Sequence, residues 1–467
     1  MVTEVDTMNC SSSSASSEDG VRKVAGGVTS LGSQMKRPEL AQTRCKKQAL
    51  VYPWNLVPDR WIAGLTWALL LPFLPLFVTV ISLGMMTQGV LFVFNRLFMG
   101  MPAQAFLKCS EASAEFGKRF MRDPRDCAKV IPIFFLMVWS PAIFAYAAYR
   151  SYTYGFEWWF VPLYHLMRIG PRFRFFAYLY VLIHQEGHCY EGFFKAPLTF
   201  LNGSCQWFTA LFFGQVPNVF RVGHNKCHHR HDNMLDDVCT NLDLDRSKPW
   251  SFVIYFPRFA AYWTGFGMIP YFGSRKEWKL MAEMMMGMFV IYTLWALSYY
   301  TMGVLFTTFY VVFPHFEGII FFGGISYLWH AFCEPDDPYN TYVNSMTVLE
   351  GHDNIFNEDY HVEHHNCAHL HPSDYKGHYD DNVEKFRTNQ ATIFRDCEEG
   401  TLLYFLLSEK WDELAKHFVD LNGKMTDEEK KVLLLRRLRS RFNRPADDEV
   451  QYQKEQREAQ QLKAKAT

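Results

Sequence analysis

The sequence predicts an all-α integral membrane protein, a bundle of transmembrane helices with polar ends. Apolar residues fall in blocks long enough to cross a bilayer, which takes about 20 residues. Of the 467 residues, 49% are hydrophobic and 17% aromatic, yet 20% are charged, and the two classes occupy separate stretches. Basic loops flank the apolar blocks in the order expected of a multi-pass chain.

The elements follow in order. Residues 1–58 open with a Ser-rich run that lacks an apolar core, so this is a disordered cytosolic segment and not a secretory signal. A basic cluster (Lys36, Arg37, Arg44, Lys46, Lys47, Arg60) precedes the apolar stretch from Trp61 to Phe98. Lys108, Lys118, Arg119, Arg122 and Arg125 follow it. Basic residues on both sides call for a hairpin of two crossings, with both flanks cytosolic. A further crossing runs from Val130 to Ala148, and Phe156 to Ile183 returns with an interruption at Arg168 to Arg174. Short apolar pieces such as Trp207 to Phe213 read as interfacial helices. Met281 to Tyr299 and Met302 to Trp329 form a last pair of crossings. We expect membrane helices with a catalytic region over 59–372 and a cytosolic helical tail over 373–467. Lys463 and Lys465 near the C-terminus resemble a dilysine signal for the endoplasmic reticulum, which needs a cytosolic terminus; an ordinary solvated Lys-rich end is the alternative.

Composition excludes several classes. A net charge of −1 without a basic face interleaved with aromatics argues against nucleic acid. The eleven Cys are an odd number without paired spacing, and read as reduced thiols. There is no Gly-x-Ser-x-Gly, no phosphate-binding loop and no Gly-x-Gly-x-x-Gly. The single His-Pro, at His371, lacks the glycines of a cytochrome b5 haem motif.

Seventeen His are present, and most fall in tight groups at the ends of apolar segments. The groups are His184 and His188; His224, His228 and His229; His361, His364 and His365; and the isolated His330. By the crossing count all nine lie on one side of the membrane. Nine imidazoles exceed the needs of one tetrahedral ion, so two metal ions are implied, and iron pairs such a site with oxygen chemistry on unactivated carbon. His165 and His315 read as packing residues, and His231, His369, His371, His378 and His417 as surface residues. His352 is an additional ligand or a partner to one. Carboxylates near the groups, Glu186, Asp232, Asp236, Asp237, Asp353, Glu358, Asp359 and Glu363, are candidates to orient ligand imidazoles, with Glu186, Asp232 and Glu358 foremost.

In the order and spacing of these boxes, over roughly residues 130 to 372, the chain resembles the membrane-bound histidine-box non-haem di-iron superfamily of fatty acyl desaturases, fatty acid and sterol hydroxylases and alkane hydroxylases. The gaps of 35 residues from His188 to His224 and 131 from His229 to His361 resemble the acyl desaturases in scale. The resemblance implies a helix bundle capped by a cytosolic helical domain that holds two Fe ions on the nine histidines, with O2 as co-substrate and a long-chain lipid as substrate. It also implies an external electron donor: cytochrome b5, ferredoxin or a reductase.

There are departures. Ser326 stands where animal acyl-CoA desaturases carry Asn, box two is His-x-x-x-His-His as in alkane hydroxylases, and box three begins with His rather than Gln. These favour oxygen insertion, hydroxylation or epoxidation, with squalene epoxidation in sterol biosynthesis as one candidate; acyl desaturation is the alternative. An intramembrane zinc protease needs Glu where Gln185 stands. A metal transporter or haem carrier needs mid-membrane histidines, for which only His165 and His315 qualify.

Overall fold

A computed structural model describes residues 59–97, 101–351 and 354–442, which form a mostly helical fold with one short pair of strands. The Ser-rich N-terminal segment, the Lys-rich C-terminal end, His352 and Asp353 lie outside the described residues. Among the described residues, three stretches are long and apolar enough to cross a membrane: Ala63–Met86, Pro124–Tyr154 and Trp278–Trp329.

The first stretch comprises α1 (Asp59–Leu70) and α2 (Leu74–Leu97), joined by a 3-10 turn at Leu71–Phe73. Pro72 and Pro75 account for the turn, because each removes a backbone N–H and crowds the preceding helical turn. Trp67 on α1 stacks on Phe256 at 4.6 Å, while Gly84 on α2 faces Ile169 and Phe173. By length and composition this is one candidate span, where the charge of its flanks calls for two. After α3 (Met101–Phe120), Asp123 caps a 3-10 turn by accepting the Arg125 N–H at 2.9 Å, and α4 (Val130–Tyr154) forms the second span. The return passage is broken at the expected place into α5 (Phe160–Ile169) and α6 (Arg174–His188), and is not among the three candidate spans.

Between α6 and the third span lie a π-helix (Val219–His228), α7 (Pro249–Trp263) and α8 (Met268–Ser274). The third span contains α9 (Trp278–Phe306) and α10 (Phe313–Trp329). Gly303 has φ 81°, a conformation that glycine adopts without steric cost. The Ser298 and Thr307 hydroxyls approach to 2.9 Å; nine residues apart on one straight helix they would be about 13 Å distant. The chain therefore doubles back at Gly303.

Beyond α10 the fold departs from the all-α expectation. β1 (Met346–Leu349) pairs in parallel with β2 (Thr392–Arg395), in the register Met346 to Thr392. Four-residue strands buried on both faces carry no alternating pattern for sequence reading to detect. The connection between them holds α11 (His361–Asn366) and α12 (Tyr375–Thr388), so the pairing reaches across residue 372. α13 (Glu399–Leu407), α14 (Trp411–His417) and α15 (Asp427–Arg439) follow.

Fully buried Arg246 ties α15 to the end of α10. Its guanidinium donates to the carbonyls of Ala331 (2.8 Å), Leu244 (2.8 Å), Arg437 (3.0 Å) and Ser440 (2.6 Å). Arg246→Met leaves these acceptors without their donor, and we expect a loss of at least about 3 kcal/mol, since each stranded buried polar group costs about 1–3 kcal/mol. Thermal unfolding in detergent, with proteolysis inside 427–442 as a second readout, measures it.

Candidate metal centre

Each histidine group is delivered by the end of a helix. His184 and His188 leave α6 on one face because residues four apart lie one above the other. The next group sits on the π-helix, whose i→i+5 bonding aligns residues five apart instead. The backbone N–H of His229 accordingly bonds the His224 carbonyl, and these two imidazoles point the same way. Gly287 of α9 lets that helix press on Pro217, two residues before the π-helix, for a Cβ there would overlap the Pro217 carbonyl. His330 follows the last turn of α10, and α11 begins at His361, where Tyr360 bridges to Thr347 of β1.

The nine imidazoles form two clusters. His184, His188, His224, His229 and His364 make up the first, and His228, His330, His361 and His365 the second. In the first, Nε2 to Nε2 separations are 2.8 Å for His184 and His224, 2.9 Å for His224 and His229, 2.8 Å for His229 and His364, and 3.1 Å for His184 and His364. In the second they are 3.1 Å for His228 and His330, 3.4 Å for His330 and His361, and 3.1 Å for His361 and His365. Ligands about 2.1 Å from a shared ion stand about 3.0 Å apart at right angles and about 3.4 Å apart in a tetrahedron.

The Nδ1 atoms show which Nε2 atoms present lone pairs, and between His228 and His330 two such lone pairs face each other. The Nδ1–H of His184 donates to Glu358 at 2.7 Å, that of His228 to Asp237 at 2.7 Å, that of His330 to the Asn344 carbonyl at 2.8 Å and that of His365 to Asp232 at 3.1 Å. With the proton committed there, each Nε2 presents a lone pair. Converging lone pairs repel unless a cation lies between them. His188 Nε2 is buried without a hydrogen-bond partner, as a ligand nitrogen would be. Burial first, and then the neighbouring imidazoles, hold His224, His229, His361, His364 and His365 well below the ordinary imidazole range, which keeps them neutral and able to coordinate. Burial acts against the Asp237 carboxyl, but His228 outweighs it and the group lies below the usual range. The donor sets therefore suit two borderline ions such as Fe, Zn or Cu.

The geometry sorts the sequence candidates. All nine histidines converge, but not by box. His228 and His229 go to different clusters, as do His364 and His365, because neighbours on a helix point about 100° apart. Glu358 and Asp232 orient ligands, as does Asp237. Glu186 does not: two residues from both ligands of α6, it points away and accepts the backbone N–H groups of Gly203 (2.8 Å) and Gln206 (3.1 Å). Its place is to order the loop after the first box. His165 and His315 bond the Phe309 and Gly214 carbonyls. Three contributors carry no sequence signal: the Asn344 carbonyl, the Tyr375 hydroxyl 3.3 Å from His364 Nδ1, and Gln185, which donates to Glu358 at 2.7 Å.

A cavity of about 620 Å3 ends on His184, His224, His228 and His361 and is walled mainly by apolar and aromatic side chains, including Phe259, Trp263, Phe321 and Trp329. That volume and lining suit a long apolar molecule. Ser326 lies in the wall, accepting the Tyr255 hydroxyl at 2.9 Å.

A family model described as fatty acid desaturase matches residues 156–395, just over half of the chain. No curated protein and no solved structure matches it.

The split doublets predict that His364→Ala and His365→Ala each lower bound metal by about half, and from different clusters; elemental analysis of purified protein and the double variant measure this. Asp237→Asn, which frees the orientation of His228, is expected to weaken metal binding by about 10- to 100-fold, read by chelator competition.

Proposed function

The chain belongs to the fatty acid desaturase family and is an oxidoreductase, and from that premise we propose that it oxidises a long apolar lipid chain with O2 at two iron ions held by the nine imidazoles. The single observation that carries this reading is the cavity that terminates on histidines of both clusters. His184, His188, His224, His229 and His364 would hold one ion, and His228, His330, His361 and His365 the other. Bound iron supplies the reduction of O2 and the oxidation of an unactivated carbon.

The chain's own residues do the rest. Glu358, Asp237 and Asp232 keep the imidazoles in the ligating tautomer. Phe259, Trp263, Phe321 and Trp329 exclude water and give an alkyl chain a mainly apolar wall beside the histidines. Both electrons come from outside, from cytochrome b5, ferredoxin or a reductase.

Oxygen insertion is the favoured outcome. One oxygen atom of O2 enters the product as a hydroxyl or an epoxide, on an acyl chain or on squalene, and the other leaves as water. The three-residue spacing of the second box supports it: the π-helix uses that spacing to bring His224 and His229 together. Desaturation, in which both oxygen atoms leave as water, is favoured by the family match itself. We place the enzyme in the endoplasmic reticulum membrane with both termini cytosolic. The exposed aromatic residues Tyr152, Trp158 and Tyr300 support a membrane interface at their end of the helices.

Mass spectrometry of acyl lipids and neutral isoprenoids from yeast expressing the chain or His364→Ala tests this. A product about 16 Da heavier than its precursor, absent with the variant, is expected for oxygen insertion, and one about 2 Da lighter means desaturation. Equal lipids from both chains, with iron bound and a donor supplied, overturn the oxidative reading.

A further inference from the structure

We propose that two buried thiols, Cys227 and Cys239, are positioning residues for one of the two metal ions: they fix the carboxylate of Asp237, which in turn fixes the ligand His228. This rests on the two-ion reading proposed above, and on no particular oxidation product. The Asp237 side chain is completely buried, and each of its oxygens has its own partners. Oδ2 accepts the Nδ1–H of His228 at 2.7 Å. Oδ1 accepts the backbone N–H of Cys239 at 3.2 Å, the Cys239 thiol at 3.4 Å and the Cys227 thiol at 3.9 Å.

The order of these residues makes a clamp. Cys227 and His228 are neighbours on the π-helix, and they take one carboxylate oxygen each. A carboxylate held by a single oxygen still turns about its Cβ–Cγ bond, because that torsion is broad. Held through both oxygens from the same helix, it cannot turn without breaking a contact. The Cys239 N–H, two residues on, closes an Asx turn on the same oxygen and ties the carboxylate to its own loop. Glu358, which orients His184 in the other cluster, is built alike: Gln185 donates to its second oxygen at 2.7 Å.

Thiols suit this position. A buried carboxylate needs donors, since its hydration is lost, yet Cys239 also lines the mainly apolar cavity. A thiol packs as a small apolar group and is a weak donor, so it serves the carboxylate without bringing a hydrated group into the wall. Weak donation also leaves the Asp237 charge available to the His228 N–H, and that hydrogen bond raises the basicity of the ligating nitrogen. Cys227 is buried as well.

Metal binding by the purified full-length protein tests this without turnover. In a His364→Ala background, competition with a chelator for added Co2+ reads the affinity of the cluster that contains His228. We expect Cys239→Ala to weaken that ion about tenfold, Cys227→Ala to weaken it less because its contact is longer, and Cys239→Ser to restore most of the Cys239→Ala loss. Ala and Ser are nearly equal in size, so their difference reports the donor and not the packing. In a His365→Ala background, which reads the other cluster, Cys239→Ala should leave the affinity unchanged. Added to Asp237→Asn, Cys239→Ala should cost no more than about twofold further, because both act through one group.

Equal losses from the two clusters, a full additional loss beside Asp237→Asn, or undiminished affinity in a folded Cys239→Ala protein overturns the proposal. So does a sulfur-to-metal charge-transfer band in the Co2+ spectrum of the unaltered protein, which would make a thiol a ligand; His228, Asp237 and Cys239 lie close enough together for that. Product formation in yeast, measured independently, reports on the oxidative reading whether or not the thiols act as proposed.

Discussion

Nine imidazoles share one buried volume with their ring nitrogens turned inward, and the rest of the structure is arranged around that constraint. Burial keeps His188, His224, His229, His330, His361, His364 and His365 uncharged. A neutral imidazole has one proton, and four of the nine commit it outward, to Glu358, Asp237, Asp232 and the Asn344 carbonyl. The inward nitrogens stand 2.8 to 3.4 Å apart across the two clusters, and between His228 and His330, whose protons are both committed outward, only an intervening cation makes the 3.1 Å spacing favourable.

Local structure answers to this geometry. An uninterrupted α-helix would place His224 above His228, yet these two belong to different clusters. The π-helix realigns the segment so that His224 pairs with His229, and Gly287 allows α9 to close upon its start. The parallel strands have a similar duty. β1 begins two residues after Asn344, whose carbonyl holds His330, and its bridge to Tyr360 sets the first residue of α11. Arg246 then fastens α15 beneath the residue after His330. The cap elements beyond the last membrane span are thus connected to the ligand set at several points.

The cavity joins two environments of opposite character. Imidazoles of both clusters line it, and so do the guanidinium groups of Arg172 and Arg174 and the carboxylates of Glu398 and Glu399. Between them α6 supplies a stripe, Arg174, Ala177, Val181 and His184, running from charge through hydrocarbon to imidazole. One helix face therefore contributes charged, apolar and imidazole side chains to the same cavity.

The histidine groups and the helical membrane character were legible in the chain, because i and i+4 spacing and long apolar runs are local patterns with few physical alternatives. The break at Gly170 to Arg174 was legible for the same reason. What the sequence could not determine was the partition of the histidines. Box membership follows the chain, whereas cluster membership depends on helix twist and on which helices meet, so adjacent His364 and His365 part company while His184 and His364 converge. Glu186 was misread and Gln185 missed because proximity in sequence does not say which way a side chain points. Composition and spacing by themselves determined what kind of chemistry the chain can perform. Only the tertiary structure decided which nitrogens face one another and which path leads to them, since both arise from contacts between residues far apart in the chain.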